Sequence, residues 1–296
     1  MTSPGPSAAA GSQAVSSAPA SLAAGRPAAD GHAIELRGVT KRFPTRDGRD
    51  YTAARDMTLT VGRGEFVSVV GPTGCGKSTS LSMISGLAAA SDGDVLVEGR
   101  PVTGIPDGLG YMFQQDAVLP WRSVLDNVAA GPRYRGAGKK EAREKAKEWV
   151  AKVGLAGFER YYPHQLSGGM RKRVALAQTL INEPSILLMD EPFSALDVQT
   201  REHMQDLLLD LWSGTGAAVV FVTHDLTEAI ALADTVVVMT AAPATTKNVI
   251  PVDLERPRRV EEIRLEESFL AVYREVWNSL RQEVEITRAR GAGNVA

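Results

Sequence analysis

The sequence predicts an α/β protein built on a parallel sheet, and three observations carry that prediction. Strand-sized apolar runs alternate with helical periodicity along most of the chain. A glycine-rich segment joins one such strand directly to a helix, and a second strand ends in two adjacent carboxylates.

The elements follow in chain order. Residues 1–31 are almost entirely Ala, Ser, Gly and Pro, with only Arg26 and Asp30 charged. Such a segment has few bulky apolar groups to offset its chain entropy, so it is predicted to be disordered. The amphipathic Arg pattern of a transit peptide is missing from it. The folded part begins near Ala33–Leu36. Thr58–Val61 and Glu65–Val70 are predicted strands, and the second runs straight into Gly71. From Gly76 to Leu87 the spacing is helical, with Leu81, Ile84 and Leu87 on one side. An irregular stretch rich in Gly and Pro then leads to a charged amphipathic helix over Lys139–Val153. Ile186–Met189, Ala217–Val222 and Thr235–Met239 are buried-type strands separated by helical segments. Beyond Pro251, Phe269, Val272, Val276, Leu280 and Val284 recur every three to four residues. This predicts a C-terminal helix that either packs on the core or binds a partner. Gly291–Ala296 should fray. No internal repeat is visible, so the chain holds one such unit.

Composition narrows the function classes. Hydrophobic residues make up 44% and charged residues 23% of the chain, as in an ordinary globular protein. A net charge of -2 gives no excess to draw the molecule to nucleic acid, and no nucleic-acid partner is expected. No apolar run approaches the roughly 18 residues of a spanning helix, and no secretory signal opens the chain. The single Cys75 has no internal disulfide partner, which fits a reducing cytoplasm.

The chemistry begins at Gly71-Pro72-Thr73-Gly74-Cys75-Gly76-Lys77-Ser78, followed by Thr79. This is G-x-x-x-x-G-K-[ST], in the strand-before, helix-after context the motif needs. Glycines let successive backbone N–H groups turn inward around phosphate oxygens, and the new helix aims its positive end at them. Lys77 places a cation between β- and γ-phosphates, and the Ser78 hydroxyl is a hard oxygen suited to Mg²⁺. The plainer reading is a glycine-rich turn, with Cys75 a small loop residue in either case. Downstream, Ile186–Met189 runs into Asp190-Glu191. A strand of a parallel sheet delivers both carboxylates to its C-terminal edge, beside the cradle. Asp190 would hold Mg²⁺ through its water shell, and Glu191 is placed to polarise an attacking water. A solvated acidic strand end would look the same, but Pro192-Phe193-Ser194-Ala195-Leu196-Asp197 follows it.

Leu166-Ser167-Gly168-Gly169-Met170 then opens a helix. With this segment the chain resembles the ABC transporter ATPase family, over roughly residues 34–252, with Met170 where the family signature LSGGQ has Gln. The resemblance implies a P-loop fold with a parallel-sheet core, an antiparallel β subdomain, and a helical subdomain at about 115–182 carrying the signature. It divides the chain into a tail (1–31), an ATPase domain (32–252) and a C-terminal helical extension (253–296). It also implies head-to-tail pairing, in which Ser167, Gly168 and Gly169 of one copy close over ATP held by the other's cradle. Residue by residue, it makes Gln114 the sensor of Mg²⁺ and the γ-phosphate, with neighbouring Gln115 set aside because the family residue directly follows the aromatic. His224 becomes the switch histidine and Asp197 the aspartate that crosses the interface. Phe43 becomes the ring that stacks on adenine, with Tyr51 as competitor because the Arg46–Asp50 insertion blurs the alignment. Glu191, His224, Lys77 and Gln114 are thus the expected catalytic set, and Ser78, Gln114 and Asp190 the expected metal set.

Leu119-Pro120-Trp121-Arg122-Ser123-Val124-Leu125-Asp126-Asn127-Val128 is similar to the branch importing nitrate, sulfonate, taurine and related anions. There the region faces a membrane partner, although Trp121 would also suit buried packing. The expected assembly is a homodimer with permease subunits and a substrate-binding protein, at the cytoplasmic face of the membrane. The alternative is a soluble ABC ATPase. Members that organise chromosomes place a long coiled coil between cradle and signature, and the 90 positions from Lys77 to Ser167 leave no room for one.

Overall fold

The computed structural model describes Met1 and residues 31–45 and 48–293. The predicted disorder of residues 1–31 therefore falls, apart from Met1 and Gly31, outside the described residues, as do Arg46 and Asp47 of the Arg46–Asp50 insertion. The elements are β1 (His32–Pro44), β2 (Asp50–Gly62), β3 (Phe66–Val70), α1 (Lys77–Ile84), β4 (Asp92–Val97), β5 (Arg100–Pro101) and β6 (Leu109–Met112). Then come α2 (Val124–Val128), α3 (Ala130–Tyr134), α4 (Lys139–Lys152), α5 (Gly168–Leu180), β7 (Ile186–Asp190) and α6 (Val198–Trp212). The chain ends with β8 (Ala218–Val222), α7 (Leu226–Leu232), β9 (Thr235–Met239), β10 (Thr246–Pro251), α8 (Val260–Ile263) and α9 (Glu267–Gly293).

Two sheets share the work. The larger has the order β10-β9-β3-β8-β7-β6, parallel throughout except for the antiparallel pair β9/β10. Its central strands are buried on both faces, which is why β3, β7 and β8 read as apolar runs, interrupted only by Ser68 in β3 and closed by Asp190 in β7. The smaller sheet, β2-β1-β4-β5, is antiparallel. Between β6 and β7 the chain leaves the sheet for the helical segment α2–α5. Of the helices before the signature there, α4 is the longest at 14 residues, so no coiled coil intervenes.

The differences from the predicted elements have local causes. The helix after the cradle stops at Ile84 instead of Leu87, because Gly86 turns with φ 73° against Gly104; a Cβ there would lie 2.0 Å from that carbonyl oxygen. Three strands, β4 to β6, occupy the Gly- and Pro-rich stretch predicted to be irregular. The C-terminal apolar stripe packs inward, with Phe269, Val276 and Leu280 buried. Two polar ties fix α9: Glu283 accepts from the Ala241 amide at 2.9 Å, and Lys247 Nζ meets Glu283 at 2.8 Å. The helix is continuous to Gly293, and the remainder of the predicted fray, residues 294–296, lies outside the described residues.

Candidate active site

Sheet order builds the site. In β3-β8-β7-β6, four adjacent parallel strands end at one edge, and each carries a different motif at or just past its last residue. The cradle follows β3, His224 follows β8, Asp190-Glu191 closes β7, and Gln114 follows β6. Residues 112 positions apart in sequence thereby meet within hydrogen-bond distance: Ser78 Oγ donates to Asp190 Oδ1 at 3.0 Å.

The cradle is tight where it must be glycine. Gly76, with φ 122°, caps α1, and a Cβ there would lie 2.7 Å from the carbonyl oxygen of Ala53. That contact also brings β2 against the loop. Lys77, buried, donates its ammonium to the carbonyls of Gly71 (2.9 Å) and Pro72 (3.1 Å), so the charge sits within the turn. Thr73, Gly74 and Ser78 form the exposed rim, with Thr79 half-buried behind it. Cys75 is buried, and burial pushes its thiol above the ordinary range, with Lys77's charge opposing. A buried thiol kept protonated is a poor nucleophile, which matches its reading as a small loop residue.

Asp190 is pushed up from the ordinary carboxylate range by burial, and the adjacent Glu191 charge adds to this, while Ser78 and Lys77 oppose it. Two hard oxygen ligands at 3.0 Å, one of them a carboxylate crowded by a second, form a donor set that a divalent cation suits. Glu191 adopts φ 44°, a left-handed conformation uncommon for a non-glycine residue, held by its amide donating to the Val222 carbonyl at 2.9 Å. This turn brings the carboxylate toward the neighbouring strand, where His224 Nδ1 lies 2.9 Å from Glu191 Oε2. With the carboxylate accepting, the ring donates from Nδ1 and keeps Nε2 for another partner.

Gln114 has an exposed position, and its backbone carbonyl accepts from the buried Lys172 ammonium of α5 at 2.9 Å. Lys172 also pairs with Asp116 at 2.8 Å, so the loop after β6 is tied to the signature helix. Phe43 and Tyr51 are direct partners across the β1/β2 hairpin, both exposed, with the Lys41 ammonium 4.8 Å from the Phe43 ring centroid. Opposed residues share a face, so Phe43 and Tyr51 stand on one face of a hairpin whose second strand, at Ala53, touches Gly76. Ser167 caps α5, accepting the Met170 amide at 3.2 Å. Met170 packs partly buried on the core, and Gly169 abuts α6, where a Cβ would come within 2.6 Å of the Thr200 methyl. Asp197 caps α6 in turn, accepting from Thr200. No hydrogen bond joins Ser167, Gly168, Gly169 or Asp197 to the cradle among the described residues.

The chain matches the ABC transporter family over residues 54–194. It is 45% identical over 251 residues to an uncharacterized ABC transporter ATP-binding protein of Methanocaldococcus jannaschii, covering 85% of this chain and 92% of that one. The chain belongs to the ABC transporter family. It is an ATP-binding, ATP-hydrolysing subunit of that family. A further relative is the aliphatic sulfonates import ATP-binding protein SsuB of Bacillus cereus, 39% identical over 82% of this chain and 94% of that one. Among solved structures, an ATP-binding cassette determined as a dimer in a post-hydrolysis state with ADP and Pi superposes with a TM-score of 0.66 at 32% identity. That match covers 75% of this chain and all of the other. No helix among the described residues is long and apolar enough to cross a membrane.

Two features of this ABC subunit escaped the sequence reading. A cavity of about 610 Å³ lies between Gly71–Thr73, His224 and the α9 side chains Tyr273 and Trp277. Only the three-to-four spacing of α9 hinted at it, and spacing does not say which elements a helix will face. The second is Glu228 on α7, four residues past His224, buried and accepting from Thr223 and Gln205. Burial pushes its carboxyl up from 4.5 to about 7. The raised value means that the folded state holds the proton more tightly than the unfolded chain. Its contribution to stability is therefore fully present below pH 4.5 and is lost as pH rises through about 7. Glu228→Gln, which cannot ionise, should gain on the parent between pH 5 and 8 by about 2–3 kcal/mol. Urea midpoints measured across that range test this, and a difference that stays flat with pH contradicts it.

Proposed function

We propose that this chain is the energy-coupling ATPase of an importer for aliphatic sulfonates or related small anions of the nitrate and taurine class. It works as a homodimer at the cytoplasmic face of the membrane, against permease subunits fed by a substrate-binding protein. In this reading Lys77 and the amides of residues 71–79 hold the phosphates of ATP, and Phe43, with Tyr51 beside it, receives the adenine. Ser78 and Asp190 would hold Mg²⁺, with Gln114 reporting on it; bound there, the cation neutralises charge on the phosphate oxygens. Glu191 orients water in line with the γ-phosphate, and His224 Nε2 faces the same group while Nδ1 stays on Glu191. Ser167, Gly168 and Gly169 of the second copy cap that phosphate, and Asp197 crosses between copies. Pairing of two copies is supported by the dimeric cassette, and the substrate class by the sulfonate-import relative, while the head-to-tail order is what the family resemblance implies.

The observation that carries the transport reading is Trp121. It is 71% exposed, so the packing alternative raised by the sequence does not describe it. The loop around it is rigid: the fully buried Asn127 side chain accepts from the Leu119 amide at 2.7 Å and donates to the carbonyls of Leu119, Arg122 and Ser123. An exposed indole on a fixed loop, next to a groove of about 340 Å³ lined by Tyr111, Phe113, Leu119 and Tyr134, suits a docking partner. That groove borders Gln114 in sequence, so closure at the nucleotide reaches the same loop. Trp121→Ala should leave the ATPase rate of the isolated subunit within about twofold. In the complex with its permease it should lower transport about tenfold or more, as loss of an interface anchor does. Vesicles holding the full complex test the substrate class. ATP hydrolysis should rise when binding protein loaded with an alkanesulfonate is added, and stimulation by none of sulfonate, taurine or nitrate would remove the importer assignment.

A further inference from the structure

The imidazole of His224 is 58% exposed, and its one side-chain hydrogen bond among the described residues goes to Glu191. Its place is therefore set mainly by its neighbours in sequence, and both are held by side chains. The Thr223 hydroxyl, buried, donates to Glu228 Oε2 at 2.5 Å, and its oxygen accepts the Asp225 amide at 3.1 Å. The other Glu228 oxygen accepts from Gln205 Nε2 of α6 at 2.9 Å. On the far side, Asp225 Oδ1 caps α7 by accepting from the Thr227 amide at 2.9 Å, and Asp225 Oδ2 accepts from Arg201 Nη1 at 3.2 Å.

Arg201 has a second hold. Its Nη2 donates to the carbonyl of Leu196 at 2.9 Å, immediately before Asp197. Arg201 and Gln205 stand four residues apart on α6, one turn along the same face, and α6 begins directly after Asp197. One helix face thus grips both flanks of the histidine, and one guanidinium holds the histidine loop and the Asp197 loop at once. The fork geometry of arginine lets two separate acceptors share a single planar group, so displacing one acceptor moves the other. The Arg201 Nε hydrogen is buried without a partner among the described residues, which leaves the guanidinium incompletely satisfied in this arrangement. Glu228 adds what an apolar side chain of its size would not: two hydrogen bonds that tie Thr223 to α6.

We infer that Arg201 and Glu228 are positioning residues that make the placement of His224 depend on the Leu196–Asp197 loop. The inference rests on the dimer reading above, in which that loop meets the second copy. Arrival of the partner would shift the Leu196 carbonyl, and Arg201 would carry the displacement to Asp225 and the histidine beside it. A plain structural strut made of the same residues would act differently, lowering nucleotide affinity and pairing together with turnover.

Asp225→Asn and Arg201→Ala separate the two. Asparagine caps a helix as well as aspartate does, so Asp225→Asn keeps α7 while weakening the pair with Arg201, and it serves even where Arg201→Ala folds poorly. Each variant is measured three ways: ATP affinity of the full chain, ATP turnover, and ATP-dependent pairing in a Glu191→Gln background. Turnover should fall about tenfold, with ATP affinity within about twofold and pairing intact, and the double variant should be no worse than the more affected single. Turnover within about twofold of the parent in Asp225→Asn overturns the linkage, as does parallel loss of affinity and pairing in both variants. Where Glu191→Gln alone forms no pair with ATP, the dimer reading falls and takes the linkage with it.

Discussion

Glu191→Gln is expected to lower ATP turnover by about two to four orders of magnitude while leaving ATP binding in place. That range is the effect of removing a positioned general base. The substitution keeps the size of the side chain and the backbone bond from residue 191 to Val222, so the left-handed turn at φ 44° should persist. What it removes is the carboxylate that accepts from His224 Nδ1 at 2.9 Å. An amide in that place has no comparable affinity for a proton from water, and it presents an N–H as readily as an oxygen to the ring. Steady-state phosphate release, set beside direct nucleotide binding, measures both halves of the expectation. Turnover equal to the parent's would remove Glu191 from the mechanism.

Lys77→Ala should act at the other step, weakening ATP binding between about tenfold and a hundredfold, the worth of one charge-assisted hydrogen bond to phosphate. The ammonium already sits inside the turn, on the carbonyls of Gly71 and Pro72 at 2.9 and 3.1 Å, so little chain entropy opposes its use on a ligand. Alanine also strands those two carbonyls in a buried loop, and some loss of thermal stability should accompany the loss of affinity. Titration with ATP under conditions that block turnover reads the effect, and unchanged affinity would contradict the role given to the cradle.

How much of this was legible in the sequence depends on whether the determinants were local. The cradle, the paired carboxylates and the signature are short strings whose chemistry follows from residue type and order, and the strands that deliver them are apolar runs with no competing pattern. Residues 92–112 hid three strands because Gly93, Gly99, Gly104 and Gly108 break the alternation, and three of those glycines turn with positive φ at strand starts or bends. Arg201, Gln205 and Glu228 read as polar positions on amphipathic helices. Only the packing of α6 against α7 turns them into a network on both flanks of His224, Gln205 and Glu228 at Thr223 and Arg201 at Asp225. Phe43 and Tyr51 show the same limit from the other side. The sequence posed them as alternatives, and the hairpin register makes them neighbours.

The proposed mechanism depends most on ATP being clasped between two copies, and one measurement addresses that directly. In the Glu191→Gln background, Ser167→Arg places a bulky cation at the exposed cap of α5, a helix start that makes no hydrogen bond to its own cradle. Mass measured in solution with and without ATP should show pairing for Glu191→Gln and none once Ser167→Arg is added, while each copy still binds ATP with its affinity unchanged. Pairs that persist with ATP despite Ser167→Arg would contradict it.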